Sequence, residues 1–190
     1  MDTWSANRHD ISILRNLYQQ KREIAQDPIM EQRKRLWTEH ASLRSQRPMI
    51  LAETQGVLDE LIPLDSLQCQ EDWARTLERG LRELIFRYQH VQDDWVVEPW
   101  IEYMWEVTIG DFGVKTEIRR GENAGRLGSY IWTPPIQDLD REFDRLHFRS
   151  LTVNRERTLA WKNFLEEHFG DILPVRHRGM SWWTSGQTWD

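Results

Sequence analysis

The chain holds a single cysteine, Cys69, so an intrachain disulfide is excluded, as in proteins of reducing compartments. No apolar run approaches the ~18 residues of a membrane span, and Met1-Asp2-Thr3-Trp4-Ser5 lacks a signal-peptide core. A cytoplasmic location is the expectation. Basic excess is missing too: 31 acidic against 25 basic side chains leave a net charge of -6, whereas a nucleic-acid binder needs a cationic footprint to displace phosphate counterions. The runs Arg33-Lys34-Arg35 and Arg119-Arg120 read as solvated faces. Solenoid repeats and low-complexity tracts are absent. Asp111-Phe112-Gly113 spells the kinase magnesium tripeptide but has no Gly-rich loop or catalytic-loop motif beside it, and reads as a turn. Cys69 has no nearby His or second Cys and reads as a small buried thiol.

Tryptophan is what the chain has in quantity. A hydrophobic fraction of 39% with 29% charged residues is lean for a globular domain. Eleven Trp, six Phe and four Tyr compensate, because each ring buries more area than an aliphatic side chain. At 190 residues, one domain is the default.

Helical spacing of Leu14, Leu17, Tyr18 and Ala25 predicts a helix over Ile11–Ala25. Asp27-Pro28 then reads as an N-cap and first-turn proline of a second helix ending near Ser42. Met49–Ala52 is an apolar run suited to a buried strand, with Glu53-Thr54-Gln55-Gly56 as its polar exit. From Asp72, read as a cap, the stripe Trp73, Leu77, Leu81, Leu84, Ile85 and Tyr88 predicts a helix to Val91. Trp95–Glu98 reads as the next strand, and strand, helix, strand at this spacing is a βαβ unit with parallel strands. Residues Met104 to Pro135 interrupt that rhythm. Alternation at Val114, Thr116 and Ile118 and again over Ser129–Trp132 predicts an antiparallel hairpin within this excursion. Leu139, Phe143 and Leu146 mark a short helix. Asn154 caps a longer one over Arg155–Phe169, ended by Gly170, and Leu173–His177 forms the third strand. Beyond it lies a polar, tryptophan-rich run, Met180 to Asp190. Loops just past the C-terminal ends of parallel strands collect ligand groups, and a chain ending inside such a loop is expected to be the N-terminal portion of a longer domain.

Three segments, Arg47-Pro48-Met49-Ile50, Asp94-Trp95-Val96-Val97-Glu98-Pro99, and Gly170-Asp171-Ile172-Leu173-Pro174-Val175 through Gly179-Met180-Ser181-Trp182-Trp183-Thr184, together resemble the uroporphyrinogen decarboxylase superfamily, in its divergent bacterial branch related to corrinoid-dependent methyltransferases. The resemblance runs from about Trp37 onward and rests on the order and spacing of the segments. It implies an α/β fold: a partial (β/α)8 TIM barrel, its first three βα units preceded by N-terminal helices, with a β-hairpin excursion after the second strand. Residues 1–46 would be the helical segment and residues 47–190 the barrel portion, truncated. The implied activity is methyl transfer involving a corrinoid protein, or decarboxylation of a small substrate, with zinc and a corrinoid as the family's cofactors. Zinc ligands in that family lie mostly on later strands. The arginine-rich first-strand exit of true uroporphyrinogen decarboxylases is replaced here by Glu53-Thr54-Gln55-Gly56, which disfavours a polyanionic porphyrinogen.

The resemblance offers Glu98 or Glu102 as counterparts of the family's acidic group beyond the second strand. Glu98, where a strand meets a proline, reads either as an acid–base group with a raised pKa or as a side chain paired to an arginine or loop amide. Glu53 holds the equivalent end of the first strand. Arg176, His177 and Arg178 read as an anion-binding set, with His177 open to a metal role, or as ordinary partners of helix carboxylates. Trp100, Trp182 and Trp183 are candidates for substrate contact, although Trp182 and Trp183 equally suit core packing or a subunit interface. Parallel strands would bring Glu53, Glu98, Trp100, His177 and Arg178 to one end of the sheet. Partners are then a small-molecule substrate and a corrinoid protein, with no nucleic acid or membrane. Self-association or a complementary barrel portion would cover the open strand edge, and the isolated chain is expected to lack turnover. The alternative is a non-catalytic partial-barrel protein for binding or assembly.

Overall fold

The computed structural model of the chain describes residues 4–54, 56–121 and 128–179. They form a mixed α/β structure in two compact units, Met1–Tyr103 with Ala160–Arg178, and Met104–Leu159 with Gly179–Asp190. The helical 1–46 segment therefore shares its unit with residues 47–103. Among the described residues no helix is long and apolar enough to cross a membrane.

The first unit is built on helices whose ends the sequence specifies. Helix α1 spans Arg8–Ala25, capped by the Asn7 side chain. Helix α2 spans Pro28–Ala41, with Asp27 accepting from the Ile29 amide and proline in the first turn, where its missing N–H costs nothing. After a single-turn helix α3 (Leu58–Leu61) comes α4, Asp72–His90. Its predicted apolar stripe does face the core: Leu81, Leu84 and Ile85 are buried, and Trp73, Leu77 and Tyr88 pack beside them.

The expected Asp72 cap is corrected. Asp72 is the first helical residue, Glu71 holds the cap position, and neither side chain caps the helix. Long-range carboxylates organise this entrance instead. Asp10 of α1, fully buried, accepts the Gln70 and Glu71 amides at 2.9–3.1 Å. Glu78, also fully buried, accepts the Gln68 and Cys69 amides and Arg82 Nε at 2.8–3.0 Å. Such groups are tolerated in a core because every carboxylate oxygen finds a donor.

Strand β1, Ile101–Tyr103, pairs in parallel with β6, Val175–His177, in the register Ile101↔Val175, Glu102↔Arg176 and Tyr103↔His177. Two of the expected strands are thus corrected in position. Trp95–Glu98 is not a strand, because side chains of α2 occupy the backbone groups of this segment: Arg33 donates to the Trp95 carbonyl at 2.8 Å and Trp37 to the Asp94 carbonyl at 2.8 Å, while the Val97 amide meets Met30 Sδ at 3.3 Å. Met49–Ala52 is likewise no strand. Its amides go to carboxylates, Ile50 to Asp94 and Ala52 to Asp93, and a single backbone bond, Asp94 to the Ile50 carbonyl at 2.8 Å, lies alongside. Among the described residues the parallel sheet has two strands, and no barrel is evident. Helix α6, Arg155–Phe169, matches its expected bounds, with Asn154 Oδ1 accepting the Arg157 amide. Its Leu165 and Phe169, followed by Leu173, complete the first unit's core.

The second unit holds two antiparallel pairs. Strand β2 (Val107–Ile109) pairs with β5 (Leu151–Val153), a pair the sequence had not marked. Strand β3 (Glu117–Arg120) pairs with β4 (Tyr130–Thr133), the expected hairpin, in the register Ile118↔Trp132 and Arg120↔Tyr130. Between β2 and β3, the Gly113 amide donates to Asp111 Oδ1 at 3.0 Å, and Gly113 has φ +92°, so Asp111-Phe112-Gly113 is the turn it was read as. A Cβ there would strike the Arg145 carbonyl. The short helix α5 covers Leu139–Glu142.

Candidate functional site: a charged cluster on the parallel pair

Parallel pairing dictates which side chains meet. Glu102 on β1 lies level with Arg176 on β6, and alternation puts Trp100, Glu102, Arg176 and Arg178 on one face. Arg178 donates to Glu102 Oε2 at 2.8 Å, and Trp100 Nε1 donates to Glu102 Oε1 at 3.1 Å. Both carboxylate oxygens are therefore engaged. Arg176 does not join its register neighbour; its guanidinium lies over the Trp100 ring, 4.5 Å from the centroid. A stacked guanidinium keeps its in-plane donors available, and no carboxylate takes them among the described residues.

Two lysines reach the same region from the helices. Leu14, Leu17 and Tyr18 are buried on one stripe of α1, and Lys21 continues that stripe one heptad after Leu14. Its Nζ donates to the Trp100 carbonyl at 2.7 Å. Burial pushes the Lys21 ammonium below its ordinary range, while the Glu102 and Glu98 carboxylates pull it part of the way back. Lys34 of α2 stands 3.4 Å from Glu98 Oε2 and 3.2 Å from Glu31. Glu98 Oε2 is shielded from solvent and receives no directed hydrogen bond; at 3.4 Å the lysine is a charge neighbour rather than a donor in good geometry. Glu98 and Lys34 border a cleft of about 410 Å³ that Trp37, Leu51 and Trp95 also line. The cluster thus holds four cations, Lys21, Lys34, Arg176 and Arg178, and three carboxylates, Glu31, Glu98 and Glu102, a net excess of one positive charge on an acidic chain.

Of the residues expected at one end of a sheet, Glu98, Trp100 and Arg178 are brought together, and the candidates Glu102 and Arg176 join them. His177 is level with Tyr103, their rings 5.1 Å apart, beside the cluster on the alternate face. Glu53 does not join it: exposed, it precedes the buried Thr54, whose hydroxyl bonds Glu83, and it makes no bond to the cluster among the described residues. The displacement follows from the carboxylate-held 49–52 segment, which does not enter the sheet. Trp182 and Trp183 lie outside the described residues. Lys21 and Lys34 were missed, although a lysine at the fourth position of an i, i+3, i+4, i+7 apolar stripe is a readable signal.

A further cleft of about 660 Å³ lies elsewhere, between α1, α4 and residues 61–68. Its polar lining is amides, hydroxyls and Arg82, which is committed to Glu78, so it offers no acid–base chemistry. Zinc does not fit the described residues: no group of three or more His, Cys, Asp and Glu side chains converges to hold a metal ion. Cys69 is buried against Glu78, and burial with that carboxylate pushes its thiol up to about 12. No protein-family model, curated protein or solved structure matches the chain.

Proposed function

We propose that this chain supplies parallel βα units of a uroporphyrinogen decarboxylase-like barrel and that the Glu98–Arg178 cluster is the substrate end of that barrel. The substrate is a small carboxylated or methylated molecule, processed by decarboxylation or by methyl transfer to a corrinoid protein. One observation carries the reading: Ile101–Tyr103 pairs in parallel with Val175–His177, and at this pair an exposed Arg176 is held over Trp100. Parallel two-stranded sheets are rare alone, because parallel strands are normally flanked and covered; further strands on either edge are what this pair needs. In this reading Arg176 and Arg178 orient a substrate carboxylate, Glu98 is the acid–base group, and Lys21 holds the Trp100 backbone in place. No step is assigned to zinc.

Binding tests this without requiring turnover. Titration of the full chain with succinate should show an affinity that Arg176→Ala weakens at least tenfold and Glu53→Gln leaves unchanged, with both variants as stable as the parent. Succinate binding that ignores Arg176 would end the assignment. The full engagement of Glu102 favours a second reading, a non-catalytic binding or assembly protein; it predicts the same succinate binding with no carbon dioxide release and no methyl transfer to cob(I)alamin.

A further inference from the structure

The cleft of about 660 Å³ between α1, α4 and residues 61–68 lies within the range of small-molecule sites, roughly 300–1,000 Å³. At the chain's 29% charged residues, fourteen lining residues would include about four charged ones; there is one, Arg82. That guanidinium is neutralised by Glu78, which is fully buried. The cleft beside Glu98, by contrast, has two charged side chains among seven lining residues, and one between α4 and Leu58, Leu64 and Leu67 has four among nine. In place of charge, the 660 Å³ cleft carries four side-chain amides, Asn16, Gln20, Gln68 and Gln89, together with the buried Leu17, Ile62 and Ile85.

These amides have bonding capacity left over. Gln20 Nε2 donates to Asn16 Oδ1 at 2.7 Å, one turn apart on α1, which leaves the Asn16 N–H donors and the Gln20 Oε1 acceptor unspent. Across the cleft, the Gln68 and Gln89 side chains form no hydrogen bond among the described residues. One carboxylate braces two of the walls, because Glu78 accepts from both the Gln68 backbone amide and Arg82 Nε at 2.8–3.0 Å. Main-chain donors are unavailable: the Ile62, Ser66 and Gln68 amides are bonded within the chain, and helices spend theirs internally. An extended peptide therefore finds no ladder to join, and an anion finds neither an uncommitted cation nor a nest of amides.

We infer that this cleft binds a neutral saccharide of one or two rings. A sugar hydroxyl both donates and accepts, as a side-chain amide does, and the C–H face of a pyranose ring suits the half-buried Phe86 and Ile13 of the lining. This inference is independent of the barrel reading.

Saturation-transfer NMR and calorimetry on the full chain test it, with glucose, galactose, mannose, N-acetylglucosamine, maltose, cellobiose and lactose as neutral probes and glucuronate and galacturonate as acidic ones. At least one neutral sugar should bind with a dissociation constant below about 5 mM, and the uronates at least tenfold more weakly. Asn16→Asp keeps the shape of the side chain but removes its donors and adds a charge, and should weaken the binding at least tenfold. Gln89→Glu should act the same way. Both positions are exposed, so the melting temperatures should match the parent and separate lost binding from lost fold. Gln46→Glu, exposed but outside the cleft, and Arg176→Ala should leave the affinity unchanged. No neutral probe binding below that limit, uronates binding as well as neutral sugars, or binding that neither cleft variant weakens would each overturn the inference.

Discussion

Asp94 is the side chain whose removal should report most about this fold. Its carboxylate takes both Arg47 guanidinium nitrogens at 2.6–2.8 Å and the Ile50 amide at 2.9 Å, and so ties residues 47–52 to the segment that leads into β1. Chiefly the Arg47 bonds, against the opposing effect of burial, hold the Asp94 carboxyl down from its ordinary 3.8 to about 2. A depression of that size corresponds to about 2.5 kcal/mol at roughly 1.4 kcal/mol per tenfold change. Arg47 is 46% exposed, so solvent screening reduces the net value to about 1–2 kcal/mol. Asp94→Asn keeps the shape and an acceptor for the Ile50 amide but loses the charge. At pH 7 it should lower stability by about 1–2 kcal/mol in urea unfolding, or about 2–8 °C in melting temperature for a chain of this length. The pH dependence fixes the cause. A depressed carboxyl stabilises the fold fully above its unfolded pKa of 3.8, and the contribution disappears as the pH falls through about 2; the gap between parent and variant should close over that window. A gap of equal size at pH 7 and pH 2, or none at pH 7, would refute the ion-pair account.

Two further outcomes follow from the buried carboxylate at the entrance of α4. Glu78→Ala leaves the Gln68 and Cys69 amides and the Arg82 guanidinium without their acceptor, and should cost about 3–5 kcal/mol in the same unfolding assay; a loss below ~1 kcal/mol would show that water replaces it. The Cys69 thiol, held protonated well above neutrality, should react with a disulfide reagent at pH 8 only as fast as the chain opens. Its rate should therefore climb with sub-denaturing urea, and immediate labelling of the native protein would contradict the burial.

Local signals were legible and long-range ones were not. Asp27 and Asn154 act as the caps they read as, and α6 falls on its expected bounds, because caps and apolar stripes are written within a few residues of the helix they define; Asn7, which caps α1 ahead of its expected start at Ile11, was passed over. Met49–Ala52 and Trp95–Glu98 read as strands because they are short, apolar and bounded by prolines. Whether such a segment enters a ladder depends on what competes for its backbone. Here the competitors are Asp93, Asp94, Arg33 and Trp37, and nothing in the segments themselves announces them. The same holds for the cluster: Arg176 and Arg178 stand out as strand-end cations, whereas the parking of Arg176 on Trp100 needs the register of two strands far apart in sequence.

The grip of α2 on residues 94–98 has an evolutionary consequence. Met30, Arg33, Lys34 and Trp37 follow i, i+3, i+4, i+7, the spacing normally reserved for an apolar stripe, yet Arg33 and Trp37 act through nitrogen donors and Lys34 through its charge beside Glu98. A saturation-mutagenesis profile of α2 should therefore show helical periodicity in its intolerance, with the intolerant positions preferring their own polar groups to aliphatic replacements. Hydropathy alone would rank Arg33 and Lys34 as freely variable surface, yet drift at Arg33 would release the backbone that leads to Glu98 and Glu102, and drift at Lys34 would remove the charge beside Glu98, while the helix itself stayed unaltered.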